Sequence, residues 1–263
     1  MHKWDPADYE KSSSSQFQWA MDLVAGLDLL GSERILDIGC GDGKITARLA
    51  GLVPQGKAVG IDLSKEMIEF AARKYPPKEH RNLSFQVVDA SRLPFHEEFD
   101  LVVSFACLHW IKDHLSVLRG IRQSLVPGGR ILLQCGGKGN AAGLLDLAED
   151  LLREEKWAEY FQGFQFPYNF YGPEEYGAWL NRAGFEDASV RLVPKAMVHQ
   201  GQAALEGIIR TTWMPYTDRL PESLRPDFVR EIARRYLELH PLDENGLAHV
   251  QMMRLQVEAR RPI

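Results

Sequence analysis

The chain has 263 residues, 45% hydrophobic and 25% charged, enough for one α/β domain with a full core plus a subdomain. Its 31 Lys and Arg against 36 Asp and Glu leave a net charge of −5, with no long basic run to recommend a nucleic-acid partner. Strand-length apolar runs exclude a membrane span, Met1-His2-Lys3-Trp4-Asp5 does not begin a signal peptide, and Cys40, Cys107 and Cys135 are spaced as reduced thiols, so a cytoplasmic protein is expected.

Residues 1–15 are polar and end in Ser12-Ser13-Ser14-Ser15, which predicts a frayed arm. A helix follows from about Gln16 to Leu30, with Phe17, Met21, Val24, Leu27 and Leu29 mostly on one face. Strands are expected at Arg34–Ile38, Ala58–Ile61, Leu83–Val88, Leu101–Ser104 and Arg130–Gln134, with helices near 43–51, 65–74 and 114–125 between them. Alternation of this kind makes a parallel sheet with helices on both faces. Residues 140–162 and Glu174–Arg182 read as helix, Ala188–His199 as an alternating strand, 202–240 as helix broken by prolines, and His249–Ala259 as a final strand. The expected organisation is an arm and helix over 1–30, a cofactor-binding core over 31–136, and a part over 137–263 that completes the sheet and carries a helical lid at about 202–245.

The chemistry begins at Arg34-Ile-Leu-Asp37-Ile-Gly39-Cys40-Gly41-Asp42-Gly43-Lys44, where an apolar strand runs into three glycines at every second position. A dinucleotide fingerprint needs G-x-G-x-x-G/A, and Lys44 occupies its third-glycine position. Asp37 and Asp42 add negative charge that suits a cationic ligand and repels a pyrophosphate, which points to S-adenosylmethionine (SAM). Asp62 closes the second strand, with Leu63 after it, and can accept both ribose hydroxyls. Asp89 closes the third strand, where Asp89 and Ala90 can meet an adenine amino group; capping of the following helices is the plainer role for either aspartate. Ser104, ending the fourth strand, and Phe105 after it complete the expected cofactor set.

These motifs resemble those of the class I SAM-dependent methyltransferases. Asp37–Gly43 looks like their first motif, Ile61-Asp62 their second, Val88-Asp89-Ala90 their third, and Pro127-Gly128-Gly129-Arg130 their motif before strand five. The resemblance implies a Rossmann-like seven-stranded sheet of order 3-2-1-4-5-7-6 with the seventh strand antiparallel. A finer resemblance rests on Tyr9–Gln16, Cys107–Asp113 and Met214–Arg225, which look like the insect juvenile hormone acid methyltransferases. Trp4-Asp5-Pro6 and Pro241–Gly246 look more like trans-aconitate methyltransferase. In the first of these groups the resemblance makes Gln16 and Trp110 the residues that hold a substrate carboxylate. Both groups esterify acids, and the acceptor implied is a small-molecule carboxylic acid.

Physical chemistry fits that role. Gln16 has an amide NH₂ and Trp110 an indole N–H, neutral donors that orient a carboxylate without quenching it. A carboxylate of pKa about 4 is ionised at neutral pH and needs no general base. Catalysis is then mostly alignment, whose contribution reaches roughly 7–11 kcal/mol at its upper range. Trp110 as a core aromatic and Gln16 as an ordinary helix-start residue remain the alternatives. His109, just beyond the fourth strand, is the candidate base for a hydroxyl, amine or carbon acceptor. His109 and His114 are not spaced for one helix face, so no metal is expected. Phe161, Phe164, Phe166, Tyr168, Phe170 and Tyr171, with Trp213, Met214 and Tyr216, form either an acyl pocket for an isoprenoid or fatty acid or a plain subdomain core. Arg191, Arg210 and Arg219 would serve a polycarboxylate instead. A SAM sensor without turnover and an NAD-binding oxidoreductase are the competing classes, and the chain is expected as a monomer or homodimer.

Overall fold

A computed structural model describes residues 9–10 and 13–263; the opening Trp4-Asp5-Pro6, with Lys11 and Ser12 of the arm, lies outside the described residues. Seven strands form one sheet: β1 (Arg34–Ile38), β2 (Lys57–Asp62), β3 (Leu83–Val87), β4 (Phe99–Phe105), β5 (Leu125–Gly136), β6 (Glu186–Gln200) and β7 (Leu247–Arg260). Their order is β3-β2-β1-β4-β5-β7-β6, as the motifs imply. Strands β3, β2, β1, β4 and β5 run parallel, and β7 pairs antiparallel with β5. The central strands read as unbroken apolar runs because both of their faces are covered; β1 is buried at its last four positions.

The chain divides into two compact units. The first holds the described residues up to Lys138, with Asn169–Val193 and Arg254–Ile263. On one face of its sheet, Val117, Leu118 and Ile121 of α4 (His114–Ser124) pack with Tyr176 and Leu180 of α6 (Pro173–Ala183). On the other, Ala20 and Val24 of α1 (Ser14–Val24) pack with Leu49 and Ala50 of α2 (Lys44–Leu52). In chain order between α2 and α4, α3 (Lys65–Lys74) is started by the Ser64 hydroxyl, which accepts the Met67 N–H at 3.2 Å.

The helix expected to reach Leu30 stops at Val24, and Leu30 is 91% exposed. Gly26 weakens the helix there, and the Glu33 carboxylate captures the Leu30 and Gly31 N–H groups at 2.6 and 2.9 Å. The chain is thereby turned into β1 rather than coiled further.

The second unit joins Gly139–Tyr168 to Pro194–Met253, a wider span than the 202–245 excursion that the prolines suggest. It contains α5 (Ala142–Leu151), α7 (Gly201–Thr212) and α8 (Arg225–Leu239). Phe228 of α8 stacks on Phe161 with ring centroids 5.6 Å apart and meets the Trp157 edge at 5.1 Å. Tyr216, 1% exposed, stacks on Phe166. Rings that meet at these distances are the packed centre of the unit. No helix among the described residues is long and apolar enough to cross a membrane.

Candidate active site

The glycine turn after β1 is built by close approach. The Gly39 and Cys40 N–H groups both donate to the Ile61 carbonyl of β2, at 2.8 and 2.9 Å, which holds the turn against the neighbouring strand. Gly39, Gly41 and Gly43 all have positive φ, at 75, 53 and 78°. A Cβ on Gly39 would lie 2.3 Å from the Cβ and Sγ of Cys107, and one on Gly43 would lie 2.7 Å from the Phe85 ring. These glycines are required by conformation and by packing together.

Three aspartates surround the turn. Asp62 Oδ2 accepts the Gly41 N–H at 3.1 Å and Oδ1 the Ser64 N–H at 2.9 Å, so the carboxylate is fixed by backbone before any ligand arrives. Asp37 is 1% exposed and accepts the Thr46 hydroxyl at 2.7 Å. Burial pushes its carboxyl up to about 7, against the Thr46 hydrogen bond and with help from Asp62 and Asp42. Asp42 is 2% exposed, and its Oδ2 has no hydrogen bond, although Lys44 and Lys74 stand 3.7 and 3.8 Å away. Concentrated buried negative charge fits a ligand carrying a sulfonium and an ammonium.

Asp89 lies beyond the end of β3. The Val88 N–H donates to the Asp62 carbonyl at 3.0 Å, which sets Asp89 and Ala90 laterally beside Asp62 and Leu63. Asp89 also caps its own turn, accepting Ser91 N–H and Oγ–H at 2.9 and 2.7 Å, and these bonds hold its carboxyl below the usual range. Of the two residues expected from β4, the Ser104 hydroxyl donates to the Ile38 carbonyl at 2.8 Å, and the Phe105 side chain is packed in the core. Ala106, just beyond, has φ of 55°, a strained conformation for a residue with a Cβ.

Tyr9 and Lys44 join this site without having been assigned to it by motif. The Tyr9 ring would contact a Cβ on Gly41 at 3.4 Å, and the Lys44 ammonium lies 5.8 Å from the Tyr9 ring centroid. Lys44 also bonds the Ser13 hydroxyl, so it tethers the arm to the glycine turn. Burial, followed by the charges of Asp42 and Asp62, pushes the Tyr9 phenol far up. Lys44 had told only against a dinucleotide; its structural partner, an arm residue 31 positions earlier, is invisible in a local motif.

Beyond β4, a single turn at Leu108–Trp110 carries His109 and Trp110. His109 Nδ1 accepts the Gly136 N–H at 3.4 Å, its carbonyl accepts the Asn169 N–H at 2.8 Å, and its ring lies 5.8 Å from that of Phe170. Burial, then the positive charge of Arg254, pushes the imidazole down to about 3, so it is neutral at physiological pH. His114 is likewise pushed down to about 4 by burial and bonds the Tyr176 hydroxyl. Gln16, on α1, has a buried Oε1 with no hydrogen bond, and rotation of the amide presents either its oxygen or its NH₂ to that space. The aromatic run is divided: Phe161 to Tyr168 pack in the second unit, whereas Phe170 and Tyr171 pack on His109 and His114 in the first. No cluster of His, Cys, Asp and Glu suited to a metal occurs among the described residues.

Comparison with known proteins accords with this geometry. A family model described as a methyltransferase domain matches residues 35–129. The chain is 31% identical to the trans-aconitate 2-methyltransferase of Streptomyces coelicolor over 98% of this chain and 87% of that protein. It is 29% identical to the juvenile hormone acid O-methyltransferase of Drosophila melanogaster, covering 82% of this chain and 72% of that one. Among solved structures, phosphoethanolamine N-methyltransferase 2 of Haemonchus contortus, in complex with S-adenosyl-L-methionine, superposes with a TM-score of 0.63 at 20% identity, covering 98% of this chain and 57% of that one. With the sheet order, the glycine turn and the acidic strand ends, these matches place the chain in the class I SAM-dependent methyltransferases.

Proposed function

We propose that the chain transfers the methyl group of SAM to the carboxylate of a small organic acid, giving a methyl ester. Asp62 and Asp89 would hold the adenosine half, and Asp37, Asp42 and the glycine turn the methionyl half. The bound cofactor supplies an electrophilic methyl on a sulfonium; the chain supplies orientation and a dry setting in which opposite charges cancel.

The observation that supports the acid reading is the want, among the described residues, of a usable base near His109. His109 is a weak proton acceptor, because burial holds its imidazole down at about 3 and the lone pair of Nδ1 is engaged by the Gly136 N–H. Burial pushes the Cys107 thiol up and the Cys135 thiol to about 11, so neither is a thiolate at neutral pH. A hydroxyl or ammonium acceptor would need a proton removed, whereas a carboxylate arrives as a nucleophile. The relatives support the same class, since trans-aconitate and juvenile hormone acid are both carboxylic acids. Gln16 and Trp110 are the neutral donors proposed to orient the reacting carboxylate. Replacement by Gln16→Ala or Trp110→Phe is expected to lower kcat/KM for the acid about 10-fold each, the worth of one hydrogen bond to a charged group, with SAM affinity nearly unchanged. Full activity in both variants, measured by ester formation, removes them from the site.

The pH profile tests the reading independently. At saturating SAM the rate should be flat from pH 6 to 8, because neither an ionised acid nor His109 titrates there. A rise with an apparent pKa near ~6.5 would instead favour His109 as a base and a different acceptor. SAM affinity, in contrast, should tighten as pH rises through 7. Asp37 gives up its proton over that interval, and the cationic ligand binds the ionised form.

A further inference from the structure

We propose that Arg254 is the charged receptor for a carboxylate of the methyl acceptor. The inference rests on the acid reading above, and it concerns a residue that no sequence motif marks. Arg254 lies on β7, where the antiparallel register pairs it with Gly136, the last residue of β5. It therefore stands at the carboxyl edge of the parallel strands, where open α/β sheets bind their ligands. The acidic residues assigned to the cofactor occupy the β3, β2 and β1 ends of that edge. What remains for the acceptor is the β4, β5 and β7 end, marked by His109, Trp110, Gly136 and Arg254.

Its side chain is built to meet an anion. Leu255 and Val257 pack in the core on one face of the sheet, so Arg254 and Gln256 point to the other, where the Trp19 ring of α1 lies 5.4 Å from the guanidinium carbon. Arg254 is 3% exposed, and its Nε and Nη2 are buried with no hydrogen-bond partner among the described residues. Gln134, paired with Gln256 and thus diagonal to Arg254 in register, has a buried Nε2 in the same condition. Among the described residues, the titratable groups that act on the guanidinium are Cys135, Tyr9 and His109; burial keeps the first two protonated and the third neutral. None of these three is a carboxylate. Burial lowers the Arg254 guanidinium to about 10, which leaves it charged at neutral pH.

A buried cation with two unused, coplanar donors is costly in the free protein and is satisfied by a carboxylate, whose two oxygens match the fork. A neutral ester or amide of the same shape offers no such compensation. Arg254 would thus select acids, while the uncharged Gln16 and Trp110 orient the oxygen that reacts.

The test compares Arg254→Met and Arg254→Lys with the parent, using trans-aconitate and dodecanoate as acids and S-adenosylhomocysteine (SAH) as the cofactor probe. Arg254→Met is expected to raise KM for the acid that the parent methylates by at least ~10-fold, with SAH affinity within about 2-fold of the parent. Arg254→Lys should recover part of the loss, and the melting temperature of ligand-free Arg254→Met should equal or exceed that of the parent. An unchanged KM overturns the proposal. A parallel loss of SAH affinity overturns it too, by assigning the guanidinium to the cofactor's own carboxylate. If Arg254→Met does not fold, Arg254→Lys decides alone: a raised KM at constant SAH affinity supports the proposal, and parent-like KM overturns it. Calorimetry of either acid with SAH-loaded protein separates this proposal from the ester chemistry. Binding that Arg254→Met abolishes, without ester formation by the parent, keeps the receptor and removes the esterification. Ester formation with an unaltered KM does the reverse, and no binding of either acid to the parent overturns the receptor.

Discussion

Replacing Gly39 by Ala is expected to cost about 3 kcal/mol of stability and to lower the melting temperature by roughly 6–12 °C. Two independent penalties meet at this residue. Its φ of 75° is a left-handed conformation that costs a residue with a Cβ about 1–2 kcal/mol. The new Cβ would also stand 2.3 Å from the Cys107 Cβ and Sγ, and relief of such overlap typically costs about 1–3 kcal/mol more. Because the Gly39 N–H is tied to Ile61 at 2.8 Å, the turn cannot swing aside without breaking its link to β2. Thermal melts of Gly39→Ala, Cys107→Gly and the double variant separate the terms. The double variant should recover the overlap penalty and keep the backbone penalty, a positive coupling between the sites. Additive losses would show that the Cys107 contact carries none of the cost.

The same turn shows why some of this molecule is legible in its sequence. The Gly39-x-Gly41-x-Gly43 spacing, the aspartates at strand ends and the apolar strands are local patterns, each fixed by the backbone geometry of a few neighbouring residues. They sufficed for the alternation of elements, and the motif resemblance supplied the strand order. What could not be read depends on residues far apart in the chain. Arg254 looks like any charged residue of an edge-near strand until the register places it against Gly136 and under Trp19. His109 looks like a base until the Gly136 N–H occupies its Nδ1 and burial lowers its basicity. That the Ser104 hydroxyl donates to the Ile38 carbonyl depends on β1 lying beside β4, which no local pattern shows. The aromatic run at 161–171 is continuous in sequence yet serves two packing units, because the chain crosses between them after Tyr168.

Replacing Asp62 by Ala is expected to weaken SAM and SAH binding by about 100-fold, or near 2.7 kcal/mol, while leaving the free protein as stable as before or more so. The two halves have one cause. In the free protein Asp62 is a nearly buried carboxylate whose pKa is raised, first by burial, against the opposing N–H groups of Ser64, Gly41 and Leu63. A raised carboxyl pKa means that the folded state holds its proton more tightly than the unfolded chain does. Stability attributable to this group is therefore greatest at acid pH and is lost as pH rises through the folded pKa. Where Asp62 is ionised it is a net burden on the free protein, which the Ala variant removes. The ligand reverses the balance, because ribose hydroxyls donate to oxygens whose position the Gly41 and Ser64 N–H groups have already fixed. Preorganisation of this kind stores strain in the free protein and releases it as affinity. Calorimetric titration with SAM and SAH, beside thermal melts of the ligand-free variant at pH 5 and pH 8, reads both halves. A variant that binds SAH like the parent removes Asp62 from the cofactor site. One that loses stability in proportion to affinity makes Asp62 a bracket for the Gly41 turn, because the loss would then come from the 3.1 and 2.9 Å backbone bonds and not from any hydroxyl of the ligand.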